Sequence, residues 1–516
     1  MTTLDTRATD AAATAAATAS VTALVGDLAA RHPQIEVWPS SAGTALYSHD
    51  RATAPAAPEE PTAPSAPVGP AVAFPASAAE VQQLVRAASA HGVTVVPRGA
   101  GSGLSGGASA STAQLVISTE RLDRIIEISP LDEVAVVEPG VINADLNVEL
   151  EPFGLFYAPD PASFEISSIG GNIATNAGGL RCAKYGVTRE SVLALDVVLA
   201  DGSLISVGHR SIKGVTGLDL ASLFVGSEGV LGIVVSATVR LRPVPVTRRT
   251  ITAFFDSTDA GTRGLGAITL SPVRPSVIEF FDEPSLVGID AFSHTALRER
   301  GGSLILIELD GYGIDEQTAD LSAALTRVGA RVRVESETDA AALWHLRRHG
   351  RGFPADRWFI GEDIAVPKSR LPEIYAAFPV LEARFGVSVS AVSHAGDGNL
   401  HPLIARAKAP GETTPPAELQ DAATELVRIA LALGGTVTGE HGVGTVKLDW
   451  SALELSQRSL EAQHAVKAAL DPDRILNPGK AISPARRGTD QHLDPHPAQH
   501  HHTAASRTPS KETRTS

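Results

Sequence analysis

Apolar and polar positions along this chain alternate in short β-branched runs separated by turns and by a few longer helical periods. Residues 72–74 read as a strand, 77–90 as a helix with Glu80 three residues after a capping Ser77, and 93–96 as the next strand. Further strands are predicted over 115–118, 125–128, 134–137 and 195–199, with a short helix over 20–31 and a strand over 35–38 upstream. After Pro245 the pattern predicts strands over 250–255 and 304–309 and helices over 315–328, 417–433 and 453–470. Strands this short and frequent, without regular β–α alternation, predict an α+β fold.

Two stretches fall outside the periodicity. Residues 54–70 repeat proline and alanine and read as an extended surface loop, and the polar, histidine-containing end from 481 to 516 reads as a disordered tail without fixed geometry for a metal. The resulting partition is an N-terminal segment 1–70, a first domain 71–245, a second domain 246–480 and the tail. At 516 residues the chain is too long for one hydrophobic core.

Charge and cysteine content narrow the function. A formal net charge of -15 disfavours nonspecific nucleic-acid binding, which needs a basic surplus. Cys182 is the single cysteine, which excludes an internal disulfide and an all-cysteine iron–sulfur cluster built by one chain. With neither an apolar run long enough to span a bilayer nor the apolar core of a secretion signal, the expected location is cytoplasmic, with peripheral membrane contact left open.

Glycine clusters carry the first chemical signal. PRGAGSGLSGG (97–107) follows a predicted strand with backbone and almost no side chain; Gly99, Ala100, Gly101, Ser102 and Gly103 are placed to offer N–H groups to a pyrophosphate. The segment lacks the lysine of a GK[ST] phosphate loop, and GxGxxG is absent after the expected strand. GGNIATNAGG (170–179) and LFVGSEGVLGIVV (223–235) repeat the theme, either for close approach to a planar ligand or as junctions between sheets.

The second signal is SHAGDGNLHP (393–402) with GEHGVG (439–444). His394 and His401 flank a turn and Glu440 adds a carboxylate, a two-nitrogen, one-oxygen set suited to a divalent ion; the alternative is two glycine turns whose histidines make structural hydrogen bonds. His441 beside Glu440 is left available as a base. Asn399 either orients a substrate oxygen or completes the turn, and Asp397 either fixes a histidine tautomer or caps the turn.

Together these motifs, with VEPGV, YAPDPAS, GGLRCAKYGVTRE and NPGK, resemble the FAD-dependent 2-hydroxyacid oxidoreductases of the vanillyl-alcohol oxidase type, closest to the glycolate oxidase D-subunit and D-lactate dehydrogenase group, over about 71–480. The resemblance implies a two-subdomain FAD-binding domain followed by a cap domain with an antiparallel sheet and helices. It implies that Pro97 and Arg98 together with the 99–103 turn hold the FAD pyrophosphate. Pro161, Ser163, Gly170, Gly171, Asn176 and Gly179 then line the flavin or its phosphates, and Glu228, Gly229 and Ile233 lie near the adenosine and ribitol portions. Ser102 keeps the hydroxyl of the threonine frequent in the family. Lys184 and Tyr185 are expected to shape the flavin pocket.

The resemblance further implies His394, His401 and Glu440 as ligands of a divalent metal, zinc or manganese, with His441 as proton acceptor and Arg347 as the fork for a substrate carboxylate. The expected reaction oxidises a small D-2-hydroxyacid, glycolate or D-lactate, to the 2-oxoacid. Gly361 stands where hydroxyglutarate-specific relatives have a lysine, which disfavours a dicarboxylic substrate. Alternatives are another hydroxyacid such as D-2-hydroxyglutarate, or a non-catalytic flavin-binding interaction subunit. A separate iron–sulfur or quinone-linked partner is one candidate electron acceptor and oxygen is the other, and a homodimer is compatible with the pattern.

Overall fold

The structure, a computed structural model, describes residues 3–52, 68–350, 352 and 355–484. Most of the predicted proline-rich loop and of the predicted tail lies outside the described residues. Ala71–Phe74, Gln114–Ser118 and Thr94–Arg98 form a parallel ladder in that spatial order, and Glu36–Trp38 extends it antiparallel. Helix Ala78–Ala90 starts at the predicted cap: the Ser77 hydroxyl accepts from Glu80 N, and Ala76 N donates back to the Glu80 carboxylate at 2.7 Å. It buries Val81, Leu84, Val85 and Ala88 in the same core as Val21, Leu24 and Leu28 of the first helix. That helix runs Thr3–Arg31, well beyond the predicted 20–31, as an alanine-rich sequence favours.

A second unit is a five-stranded antiparallel sheet ordered Ile125–Ser129, Val134–Val137, Ile233–Arg240, Val192–Val198, Leu204–Gly208. Its core joins Leu146, Leu150, Ile169 and Ile173 of two short helices to inward-facing Ala135, Val137, Leu195 and Val197. The third unit is an antiparallel sheet ordered Arg331–Val334, Arg248–Phe255, Ser303–Asp310, Val277–Phe281, Ser388–His394, Asn399–Ala407, Arg357–Gly361. Helices Thr258–Leu270, Ile314–Arg327, Leu371–Phe385 and Ala417–Ala432 cover its core face.

The end of the chain differs from the sequence reading. One helix was expected over 453–470; instead Leu448–Glu454 stops and Gln457–Leu470 begins, because the Ser456 side chain accepts from Ser459 N and caps a new helix. Val466 and Leu470 pack on the second unit, and Ile475 and Leu476 enter the core of the first. Val95 N donates to Ile475 O and Asn477 N to Val95 O, both at 2.7 Å, so the chain returns to the first domain before residue 480. The NPGK motif serves this return: the Asn477 amide donates to Gly107 O (3.0 Å) and Glu228 O (2.7 Å), and Lys480 Nζ donates to Ser109 O.

Candidate active site

One hairpin delivers the histidines. Strand Ser388–His394 pairs with Asn399–Ala407 in a register that sets His394 opposite Asn399 and Val392 opposite His401, so the two-residue period puts His394, Asn399 and His401 on one face. Glu440 Oε1 lies 3.2 Å from His401 Nε2 and 3.5 Å from His394 Nε2, and one donor atom from each of the three lies within 4.8 Å of the others. The His441 ring stacks on that of His401, centroids 5.3 Å apart and planes 13° apart. The far nitrogen of His394, Nδ1, meets Glu279 Oε1 at 2.6 Å.

Electrostatics separates the two imidazoles. Burial lowers His401 to about 4, helped by the neighbouring imidazoles, which leaves it a neutral donor. Burial acts the same way on His394, but the carboxylates of Glu279 and Glu440 on its two sides outweigh it and hold this imidazole well above its ordinary range. Glu440, which burial alone would raise, is held well below the ordinary carboxylate range by hydrogen bonds from both histidines. Two nitrogens and a dry carboxylate, with one imidazole oriented by an outer carboxylate, match the donor chemistry of a zinc- or manganese-type site.

Asp363, a residue sequence reasoning passed over, shapes the loop carrying Glu440 and His441. Its Oδ2 accepts from Gly439 N (2.9 Å), Glu440 N (3.0 Å), His441 N (3.0 Å) and the Thr438 hydroxyl (2.7 Å), while Oδ1 accepts from the Asn399 amide at 2.6 Å. Burial would raise this carboxyl; His441 and Lys447 hold it well below the aspartate range. Lys447, itself buried, ties the arrangement down through Asp363 O and Val437 O.

The glycine motifs meet the same loop. Ser105 of the first motif donates to His441 O (3.0 Å) and Gly442 O (2.9 Å). Glu228 accepts from Val443 N and Gly444 N, each at 2.8 Å. A Cβ on Gly178 would stand 2.4 Å from Glu440 Oε2, so that glycine is what lets the flavin-side segment approach the carboxylate. The cleft between these parts is walled by Pro97, Arg98, Gly99, Ala100, Gly101, Ser102, Gly103, Pro161, Ser163, Gly170, Gly171, Glu228, Gly229 and Ile233, and also by Glu440 and His441. A hollow of about 770 Å³ shares Gly99 and Ala100 with it but is lined by Glu120, Asp123, Glu127, Asp145 and Glu149, a wall that repels phosphate, and contains no histidine.

Several predicted residues take other partners. Asn176 and Gly179 are not among the lining residues: Asn176 caps a helix in the left-handed region and accepts from Arg189 N, and Gly179 abuts Asp160. The Arg98 guanidinium donates to the carbonyls of His49, Ala108 and Leu46 and so braces the turn. Lys184 and Tyr185, expected to shape the flavin pocket, both bond Asp310 of the cap and so tie the two domains together. Arg347 is buried with its Nε on Glu279. Both hydrogen bonds of the Asn399 amide nitrogen go to the protein, to Asp363 and Ile364 O, while its buried Oδ1 has no partner among the described residues. The signal for Glu279 was present: a lone carboxylate inside the apolar run of strand Val277–Phe281.

The turn at Gly101 gives a direct test of the phosphate cradle. Its φ is +68°, and a Cβ there would lie 2.1 Å from Arg98 Nη2. Gly101→Ala is expected to weaken FAD retention about tenfold, since the left-handed backbone alone costs roughly 1–2 kcal/mol; FAD stoichiometry after gel filtration measures it, and full retention would remove this turn from the cofactor site.

Residues 69–208 match the family model for an FAD binding domain, and 244–481 that for FAD linked oxidases, C-terminal domain. The chain is 38% identical over 453 residues to the glycolate oxidase subunit GlcD of Bacillus subtilis, covering 86% of this chain and 93% of the relative. It is 33% identical to a D-2-hydroxyglutarate dehydrogenase of Stutzerimonas stutzeri (80% and 91% covered) and 31% to a probable mitochondrial D-lactate dehydrogenase of Danio rerio (81% and 86%). Among solved structures, p-cresol methylhydroxylase with substrate bound superimposes with a TM-score of 0.69 at 17% identity, over 90% of this chain and 96% of that one. A 4-ethylphenol oxidase from Gulosibacter chungangensis gives 0.64 at 20%, over 80% and 89%; at these identities the likeness is one of fold.

Proposed function

The chain belongs to the FAD-linked oxidase family, and from that premise we propose that it oxidises a small D-2-hydroxyacid, glycolate or D-lactate, to the 2-oxoacid. The observation that carries the reading is the convergence of the cleft-lining motifs on the loop of Glu440 and His441, through Ser105, Glu228 and Gly178. It sets Glu440 and His441 in the wall of a glycine-lined cleft whose neutral backbone suits a pyrophosphate.

When bound, FAD supplies the two-electron oxidising chemistry, and a divalent ion held by His394, His401 and Glu440 supplies Lewis acidity toward the substrate hydroxyl oxygen. The rest falls to side chains. Arg347, its Nε engaged by Glu279, keeps its Nη donors for the substrate carboxylate. Asn399 has an acceptor left and no donor, so it receives a substrate hydrogen bond rather than giving one. His441 takes the hydroxyl proton on a ring nitrogen. Gly361 puts no cation at its own position of the edge strand Arg357–Gly361 to receive a second carboxylate, which favours the smaller acids.

We take a separate iron–sulfur or quinone-linked partner as the electron acceptor, since Cys182, the single cysteine of the sequence, cannot build an all-cysteine cluster within the chain. Among the described residues no helix is long and apolar enough to cross a membrane; we place the protein in the cytoplasm, with such a partner mediating any contact with a membrane.

Anaerobic mixing with glycolate, D-lactate, L-lactate and D-2-hydroxyglutarate tests the function independently of the acceptor. Glycolate or D-lactate is expected to bleach the flavin, and metal analysis to find one zinc or manganese per chain. Bleaching by none of the four would overturn the reading, and bleaching by D-2-hydroxyglutarate alone would replace the substrate.

A further inference from the structure

A 2-hydroxyacid carries its hydroxyl and its carboxylate on adjacent carbons, so the groups that receive them must be held at one short, fixed separation. We propose that Glu279 is the positioning residue that sets this separation, gripping the metal-ligand histidine His394 and the carboxylate-binding Arg347 with its two oxygens. The proposal rests on the function proposed above.

Glu279 is fully buried, at 0% exposure, and so are most of its neighbours in strand Val277–Phe281. Strand register puts it where it is: Glu279 pairs opposite His394 and Phe280 opposite Ser393, so Glu279 and His394 project from one face. The other face fixes that register, because Phe280 packs edge-on against Tyr375 at 5.0 Å and the Tyr375 hydroxyl bonds the Ser393 hydroxyl at 3.0 Å. A slip of one residue would send the carboxylate into the apolar core.

Oε1 accepts from His394 Nδ1 at 2.6 Å, which orients the ring with Nε2 toward Glu440 and makes Nε2 the nitrogen that would ligate an ion held there. Oε2 accepts from Arg347 Nε, which fixes the plane of the guanidinium and spares its Nη donors. His394 and Arg347 are each 6% exposed, so neither has solvent as a substitute partner. A buried ion pair serving only the core would need no histidine on its second oxygen.

Glu279→Gln separates the two grips, because the amide keeps an acceptor at one of the two oxygen positions and puts an NH2 donor at the other. With FAD stoichiometry matched, the variant is expected to lose metal to a chelator with about 10- to 100-fold lower affinity. It should also need more hydroxyacid for half-maximal bleaching. In an Arg347→Ala background, Glu279→Gln should still weaken metal retention against a chelator but, with metal in saturating excess, add no further loss in half-saturation, a pattern that a purely structural role does not produce. If the glutamine variant does not fold, Glu279→Asp withdraws the oxygens by one methylene and is read the same way. A folded, FAD-loaded variant with wild-type metal retention and half-saturation overturns the assignment, as does an equal added loss in both backgrounds. A wild-type protein that holds no metal and is bleached by no hydroxyacid overturns the function instead.

Discussion

His441→Ala is expected to slow anaerobic flavin bleaching by about 10²- to 10⁴-fold, the range of a positioned general base, while leaving FAD and metal content unchanged. The imidazole is separable from the loop that carries it. His441 N is held by Asp363 Oδ2 at 3.0 Å and its carbonyl by the Ser105 hydroxyl at 3.0 Å, both through backbone. Alanine therefore removes the ring that stacks on His401 without freeing the turn. Stopped-flow bleaching at saturating hydroxyacid, with metal and FAD quantified in the same sample, makes the measurement. An unchanged rate would move the proton acceptor elsewhere; a lost metal would show that the ring holds the site together instead of acting as base.

Asp363→Ala should do wider damage, abolishing stoichiometric metal binding along with bleaching. One carboxylate receives the N–H groups of Gly439, Glu440 and His441, the Thr438 hydroxyl and the Asn399 amide. Each buried donor left without an acceptor costs about 1–3 kcal/mol, and the loop can recover that only by turning toward water, which carries Glu440 and His441 away from the histidine hairpin. The pH dependence has a defined sign. This carboxyl is depressed in the folded chain, so its contribution to stability is fully present above about pH 4, where an ordinary aspartate is ionised, and is lost as pH falls through the depressed value. The Tm gap between wild type and Asp363→Ala should hold across neutral and mildly acidic buffers and narrow only in strong acid. Full metal occupancy in the variant would show that the loop keeps its shape without this residue.

Local chemistry was legible from the chain alone. Ser77 and Glu80 announced a capped helix because a cap is satisfied within four residues, and the apolar runs at 93–96 and 115–118 announced strands, whose parallel pairing only the fold reveals. The glycine runs and the histidine pair read as a candidate phosphate cradle and a candidate donor set, since both readings depend on residue type and short spacing. The break at Leu455–Ser456 was legible in kind but lost to an apolar period that continued across it.

What needed the tertiary structure was every relation between distant segments. Sequence determined which groups could ligate, donate or accept a proton; it could not determine that Glu279 would stand beside His394, 115 positions away, or that Asp363 would gather three amides from a loop 76 to 78 positions on. Strand register and loop docking made those choices. The energy of satisfying a buried polar group depends on partners that only the folded chain brings within hydrogen-bond reach. The same reason explains Lys184 and Tyr185, whose residue types suited a cofactor pocket and whose partner turned out to be Asp310 of the cap.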